Sequence, residues 1–341
     1  MAAGGFKEFV AGEVLDEDEI NDFLMQGILV FANAAGRDAA ITSPVEGQFS
    51  FLADSDSVEF FDGSQWVPFE SGVQPAVVSG TTGSPTLGTV TSGGDTFNVY
   101  SFTGDGSIIF SDEGVVDVLV LSGGAGGGLS NVNNIGAGGG GAGGWLRLPN
   151  FFVTAGTATV TVGAGGTSDS DGGQSVFSGL IVAPGGGAGT NAIGRNGASG
   201  GGQGIGSGNP SAIGRSVSPA IGNNGGEGFS GPLATQSGGG GGGQGAVGGD
   251  AASTVGGAGG AGVASDITGT SLFYAGGGGG GGRAGGGGAG GSSIGGAGGS
   301  NSAGVSASPA NRGSGGGGSG GSVTGAGGSG SSGVVIVRVQ V

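Results

Sequence analysis

Gly256-Gly257-Ala258-Gly259-Gly260-Ala261 decides how the rest of the chain is read. An oligoglycine run loses more conformational entropy on folding than any other sequence and has no side chain to bury. Its compensating asset is close approach, because backbones without Cβ atoms can lie side by side and exchange hydrogen bonds in several directions. An extended helix of three residues per turn rises ~3.1 Å per residue and makes no internal hydrogen bond, so every N–H and C=O is free for neighbours. On that period the hexapeptide turns two glycine edges inward and places one small side chain on the third. Helices packed in a bundle satisfy their buried polar groups through one another.

Outward from this stretch, glycine supplies 98 of the 341 residues, and 62 of the 148 from 185 to 332. The competing reading is a disordered Gly/Ser linker, which buries too little apolar surface to offset chain entropy. The apolar residues are clustered rather than scattered, which favours order. The region also repeats. A six-glycine run starts at Gly238 and a seven-glycine run at Gly276, with a degenerate copy at Gly315. Val255 and Ile294 each precede Gly-Gly-Ala-Gly-Gly, and Val323 precedes Thr324-Gly325-Ala326-Gly327-Gly328 in the matching place. Self-similarity at such a period predicts stacked units.

On both sides of the glycine region the pattern is that of β-strands. Phe97–Phe102, Ser107–Phe110, Val115–Leu121, Trp145–Leu148, Thr157–Val162, Ser175–Phe177 and Leu180–Ala183 have strand composition and turn punctuation. Val334–Val339 is so apolar that it must pair in a core, which returns the chain to the sheet it left near Ala183. The expected fold is therefore mainly β: a small α/β N-terminal module (1–70), a Ser/Thr/Gly/Pro linker (71–94), and a β-sandwich-like domain (95–341). An inserted bundle of packed polyglycine II helices occupies 185–332 of that domain.

Within the first module, Asp16 and Glu19 suit the start of a helix whose apolar face holds Ile20, Phe23 and Leu24. A second short helix is expected at 34–40. Strands are expected at 48–52, 57–61 and 65–68, the last two joined through Asp62-Gly63. So small an apolar unit needs a partner, either another copy of the chain or a larger platform.

Residues 1–70 carry 14 of the 24 acidic residues against Lys7 and Arg37, and the whole chain has a net charge of −16. Such a surface repels phosphate backbones, so nucleic acid is not an expected partner. There is no cysteine or histidine, which removes disulfides, thiolate zinc sites and His-based catalysis. The sole lysine is Lys7, so no glycine loop is a nucleotide-phosphate cradle. No cofactor or metal is expected, and neither a signal peptide nor a membrane span is visible.

Two further groups of residues carry a resemblance. Phe6-Lys7-Glu8-Phe9 through Leu15, Phe31-Ala32 to Arg37-Asp38-Ala39-Ala40-Ile41, Pro44-Val45-Glu46-Gly47 and Asp62-Gly63-Ser64-Gln65-Trp66 resemble the N-terminal module of phage minor tail and tail-fibre proteins. Tyr100–Gly104, Val116–Leu121 before Gly123-Gly124, Val160–Gly166 and Gly333–Arg338 resemble the glycine-rich domain of phage tail proteins. The resemblance implies a homotrimeric, non-enzymatic virion appendage in the tail. Residues 1–70 would join it to other tail proteins, with Phe6, Phe9, Ile20, Phe23 and Leu24 as attachment or trimer residues. The distal domain would bind a host surface glycan or outer-membrane protein. A purely structural connector or head fibre is the alternative.

Receptor contact is expected in loops between glycine runs, where Arg195, Arg215, Phe229, Leu233, Asn311 and Arg312 stand out against featureless neighbours. Ile193, Ile213 and Ile221 are expected to anchor those loops, and Leu272–Tyr274 to be a core strand. Carboxylate pairs for glycan hydrolysis would be Asp105 with Asp112 or Glu113, or Asp169 with Asp171. Ordinary turns explain all of these. Asp169-Ser170-Asp171 lacks a full calcium-loop pattern and also reads as a turn.

Overall fold

A computed structural model of the chain describes residues 28–69, 74–130, 135–204, 213–232, 235–321 and 325–341. The expected helix at 16–24, and with it Phe6, Phe9, Ile20, Phe23 and Leu24, lies outside the described residues, as does Leu233. The protein is mainly β and divides into two units, Met1–Val73 and Gln74–Val341.

The first unit is a four-stranded sheet, β1 (Leu29–Phe31), β2 (Phe49–Leu52), β3 (Ser57–Phe61) and β4 (Trp66–Pro68), in that order. Strands β1 and β2 run parallel and the others antiparallel. Helix α1 (Ala34–Ala40) connects β1 to β2, and the Asn33 side chain caps it by accepting from the Gly36 amide at 2.9 Å. On α1, Arg37 is buried and pairs with Asp38 and Glu59, its guanidinium 4.7 Å from the Trp66 ring centre. The turn between β3 and β4 is held by Asp62, which accepts from the amides of Gln65 and Ser64 and from the Ser64 hydroxyl, each at 2.8 Å. Those donors, the Gln65 amide foremost, hold its carboxyl below the usual carboxylate range.

The second unit is built on two five-stranded sheets. One has the order β10 (Trp145–Val153), β9 (Gly114–Leu121), β16 (Val334–Gln340), β7 (Asp95–Phe102), β6 (Thr86–Ser92). The other has the order β13 (Ile181–Ala183), β12 (Ser175–Phe177), β11 (Gly156–Thr161), β8 (Gly106–Asp112), β5 (Val77–Thr82). The last strand of the chain sits mid-sheet, antiparallel to both β7 and β9.

Strand alternation gives the first sheet two buried faces. Val118, Val120, Val335, Val337 and Val339 join Phe102, Phe110, Val160 and Phe177 in the core between the sheets. Leu119, Leu121, Val334 and Ile336 point the other way, against Ile267, Tyr274, Ala142 and Ala275. That second face is covered by the hairpin β14 (Val263–Ser265) and β15 (Leu272–Tyr274) and by the ends of glycine runs.

Two expected boundaries move. Residues 77–92, read as linker, form the edge strands β5 and β6, one in each sheet. Their Ser/Thr content suits exposed edge strands, which need no apolar face of their own. The glycine bundle is also larger than 185–332. Its members include 122–130 and 137–144, the connection between β9 and β10, and 163–173 between β11 and β12.

The bundle's hydrogen bonds repeat every three residues. Along Gly277 to Gly282, successive amides donate to Gly260, Gly140, Gly296, Gly257, Ala137 and Gly299, at 2.8–2.9 Å. Three neighbours are thus visited in rotation. The carbonyls of the same run accept from three others, with Gly241 and Gly238 on one side, Gly315 and Gly318 on the second, and Gly291 and Gly288 on the third. Each neighbour recurs once per turn, as a three-residue helix requires. Gly290, at φ −74° and ψ 144°, has the matching backbone. Runs 137–144, 238–243 and 315–320 are likewise surrounded on six sides, and all four runs are buried.

The hexapeptide 256–261 lies at the margin of this lattice. Ala258 and Ala261 are exposed while Gly256, Gly257 and Gly260 are buried, which is the three-edged arrangement the period demands. The repeat has a different meaning from stacked units. The run at 238–243 is antiparallel to 276–282, whereas 315–320 is parallel to it. A helix without side chains accepts neighbours of either direction, so the copies fill equivalent lattice positions and do not stack as units.

Candidate functional site

The direction of each run defines two ends of the bundle. Runs 137–144 and 276–282 meet the β-sheets at Gly144 and Ala275, since these join β10 and β15. At the outer end lie the turns at 190–193, 229–232, 251–255, 283–286 and 300–303. They are tied to one another and to neighbouring runs by Thr254 N to Thr235 O, Arg283 N to Thr254 O, Ala251 N to Glu227 O and Gly204 N to Ala192 O. Among the described residues, neither buried apolar cluster includes a side chain of these turns. Backbone bonding to the lattice holds their positions and leaves their side chains free to vary.

The expected receptor residues are not gathered in one place. Phe229 belongs to the outer end, bridged to Ser237. Arg195 and Arg215 lie along the flank. Arg195 faces Asp169 at 4.0 Å and Asp171 at 3.8 Å, and the Arg215 amide donates to Asn196 Oδ1 at 2.8 Å. Asn311 and Arg312 sit at the opposite end, beside the sheet. Ile193 is 65% exposed and so is not the expected buried loop anchor, a correction to its role. Isoleucine is usually internal, and no signal in the sequence distinguishes this one.

The carboxylate pairs have structural partners. Asp105 accepts from the Val162 amide at 2.9 Å, Asp112 from the Ser111 hydroxyl at 2.9 Å, and Asp171 from the Ala188 amide at 2.8 Å. Among the described residues no cluster of three or more acidic side chains is placed to hold a metal ion. No helix there is long and apolar enough to cross a membrane.

One feature that sequence reasoning missed is a cavity of about 380 Å³ on the outward face of the first sheet. Strands β6, β7 and β16 form its floor, through Val90, Val99, Val334 and Ile336, and the β14–β15 hairpin and residues 310–312 border it, leaving it open to solvent. Arg312 stacks on Tyr274, its guanidinium carbon 4.7 Å from the ring centre. Burial pushes the Tyr274 hydroxyl above its ordinary pKa, and the nearby Arg312 charge works against that rise.

These features define a glycine-lattice domain carried on a β-sandwich. The chain belongs to the glycine-rich domain family, whose model matches residues 100–340. No curated protein matches the chain.

Proposed function

We propose that this protein is a bacteriophage tail fibre or adhesin that attaches the virion to a host cell-surface receptor without chemistry of its own. The observation that carries the reading is the gathering of the outer turns on a lattice made almost entirely of backbone. A scaffold held by main-chain hydrogen bonds tolerates any side chain in its turns, which suits a surface that must follow a changing receptor. The exposed Ile193 and the partly buried Phe229 at that end are contact candidates of the apolar and aromatic kind that anchor interfaces. Residues 1–70 would supply attachment to other tail proteins and assembly into a homotrimer, as the resemblance of the first module implies. A connector or head fibre without receptor binding is the competing role.

The test is competition. Susceptible cells are incubated with the purified chain and then challenged with the phage that carries it. Protection supports adhesion, and unchanged plaque counts with cells demonstrably exposed to folded chain contradict it. Deleting 185–332 in the phage separates the two roles, because a receptor binder loses adsorption while particles still form, whereas a connector loses assembly.

A further inference from the structure

The cavity beside Arg312 has a composition that fits one kind of ligand. Its lining includes Arg312 with the polar residues Thr86, Thr89, Ser101, Thr268 and Asn311, over an apolar floor, and no carboxylate is among the lining residues. In a chain of net charge −16 this recess is basic and acid-free. Arg312 Nη1 is buried and meets no acceptor among the described residues. A buried guanidinium donor without an acceptor is costly, and a ligand oxygen would relieve that cost. The stack on Tyr274 fixes the guanidinium in place. Asn311 at φ +61° and Gly313 at φ +61° set the backbone on either side of Arg312. The Asn311 Oδ1 accepts from the Ser332 hydroxyl at 2.7 Å, which ties this turn to the last glycine run.

We infer that this cavity binds a single carboxylate-bearing sugar, a uronic-acid residue. Its carboxylate meets Arg312, its ring hydroxyls meet the threonine and serine hydroxyls, and its C–H face lies on the partly exposed Val90 and Leu272. Arginine pairs with a planar carboxylate through parallel N–H donors, a geometry lysine does not reproduce. About 380 Å³ lies at the small end of ligand pockets, the size class of one sugar ring and not of a long oligosaccharide. Identifying the sugar's source as a host surface glycan rests on the adhesin reading, but the binding event itself does not.

The experiment titrates the full chain with glucuronate, its methyl glycoside, glucose and glucose 6-phosphate, read by calorimetry or ligand-observed NMR. Saturable binding of glucuronate and its methyl glycoside is expected, about tenfold tighter than glucose, the scale of one charged hydrogen bond. Arg312→Gln is expected to remove that preference while the melting temperature stays near that of the parent. If Arg312→Gln fails to fold, Ser101→Ala, which removes a lining hydroxyl without adding bulk, is expected to weaken glucuronate binding several-fold. No saturable glucuronate binding, equal affinity for glucose, tighter binding of the phosphate, or a folded variant without effect would each overturn the assignment. A chain that blocks phage adsorption yet ignores glucuronate refutes the cavity alone. One that binds glucuronate through Arg312 yet protects no cells refutes the adhesin alone.

Discussion

The amide of Gly278 donates to the carbonyl of Gly140 at 2.8 Å, while the amide of Gly140 donates to the carbonyl of Gly316, also at 2.8 Å. Three runs far apart in sequence are closed into one triangle by backbone alone. A Cβ at Gly278 would fall on the Gly316 carbonyl, so the triangle has no room for alanine. Gly278→Ala is expected to cost about 2–4 kcal/mol, as overpacking with a strained hydrogen bond. Gly104→Ala is the control, because a Cβ there meets nothing within 4 Å. It should change stability by less than about 0.5 kcal/mol. Urea denaturation of the two variants measures the difference.

Strand β16 pairs on both edges, with β7 through Val335–Gln340 and with β9 through Val334–Arg338. Ending the chain at Gly333 would strip both neighbours and open both faces of the first sheet. The truncated chain is expected to lose near-UV circular dichroism and to bind hydrophobic dye, with no recovery on cooling.

In the first unit the buried Arg37 links α1 to β3 through Glu59 and to β4 through Trp66. Replacing it with methionine keeps the bulk but strands the Glu59 carboxylate. That change is expected to cost about 3 kcal/mol. The Trp66 indole resonance, followed through a urea titration, reports this unit directly.

Tyr274 supplies a pH test. Its folded pKa is raised above 10.0, chiefly by burial, so folding favours the protonated phenol. The corresponding stability is complete below about pH 10 and is lost as pH rises through the folded value. Tyr274→Phe keeps the ring that Arg312 stacks on and removes the titration. Between about pH 8 and about pH 11 the variant should lose less stability than the parent. Burial also raises Tyr100, so an alkaline loss from that group remains in both proteins.

Much of this fold is written in local pattern. The strands from 95 to 183 follow from strand composition and turn punctuation, the closing strand at 334 from its apolar run, and the turn at Asp62-Gly63 from its residue pair. The exposed edge of Ala258 and Ala261 follows from reading glycine on a period of three. Neither the start of the bundle at Ser122 nor the strand role of Val77–Thr82 could be read in the same way. A glycine run carries no side chain to declare its neighbours, and an edge strand of threonine and serine looks like linker until its partner is known. The cavity was hidden for a further reason: its walls come from β6, β7, the β14–β15 hairpin and the turn at Arg312, which only the folded sheet brings together.

The most direct test of the account is amide hydrogen exchange on the glycine runs. The glycine amides of Gly138–Gly143, Gly239–Gly242, Gly277–Gly282 and Gly315–Gly318 are expected to exchange only through global unfolding, as slowly as Val118 and Val337 in the sheet. Exchange of those glycine amides at the rate of an unstructured chain, with the sheet still protected, would contradict it.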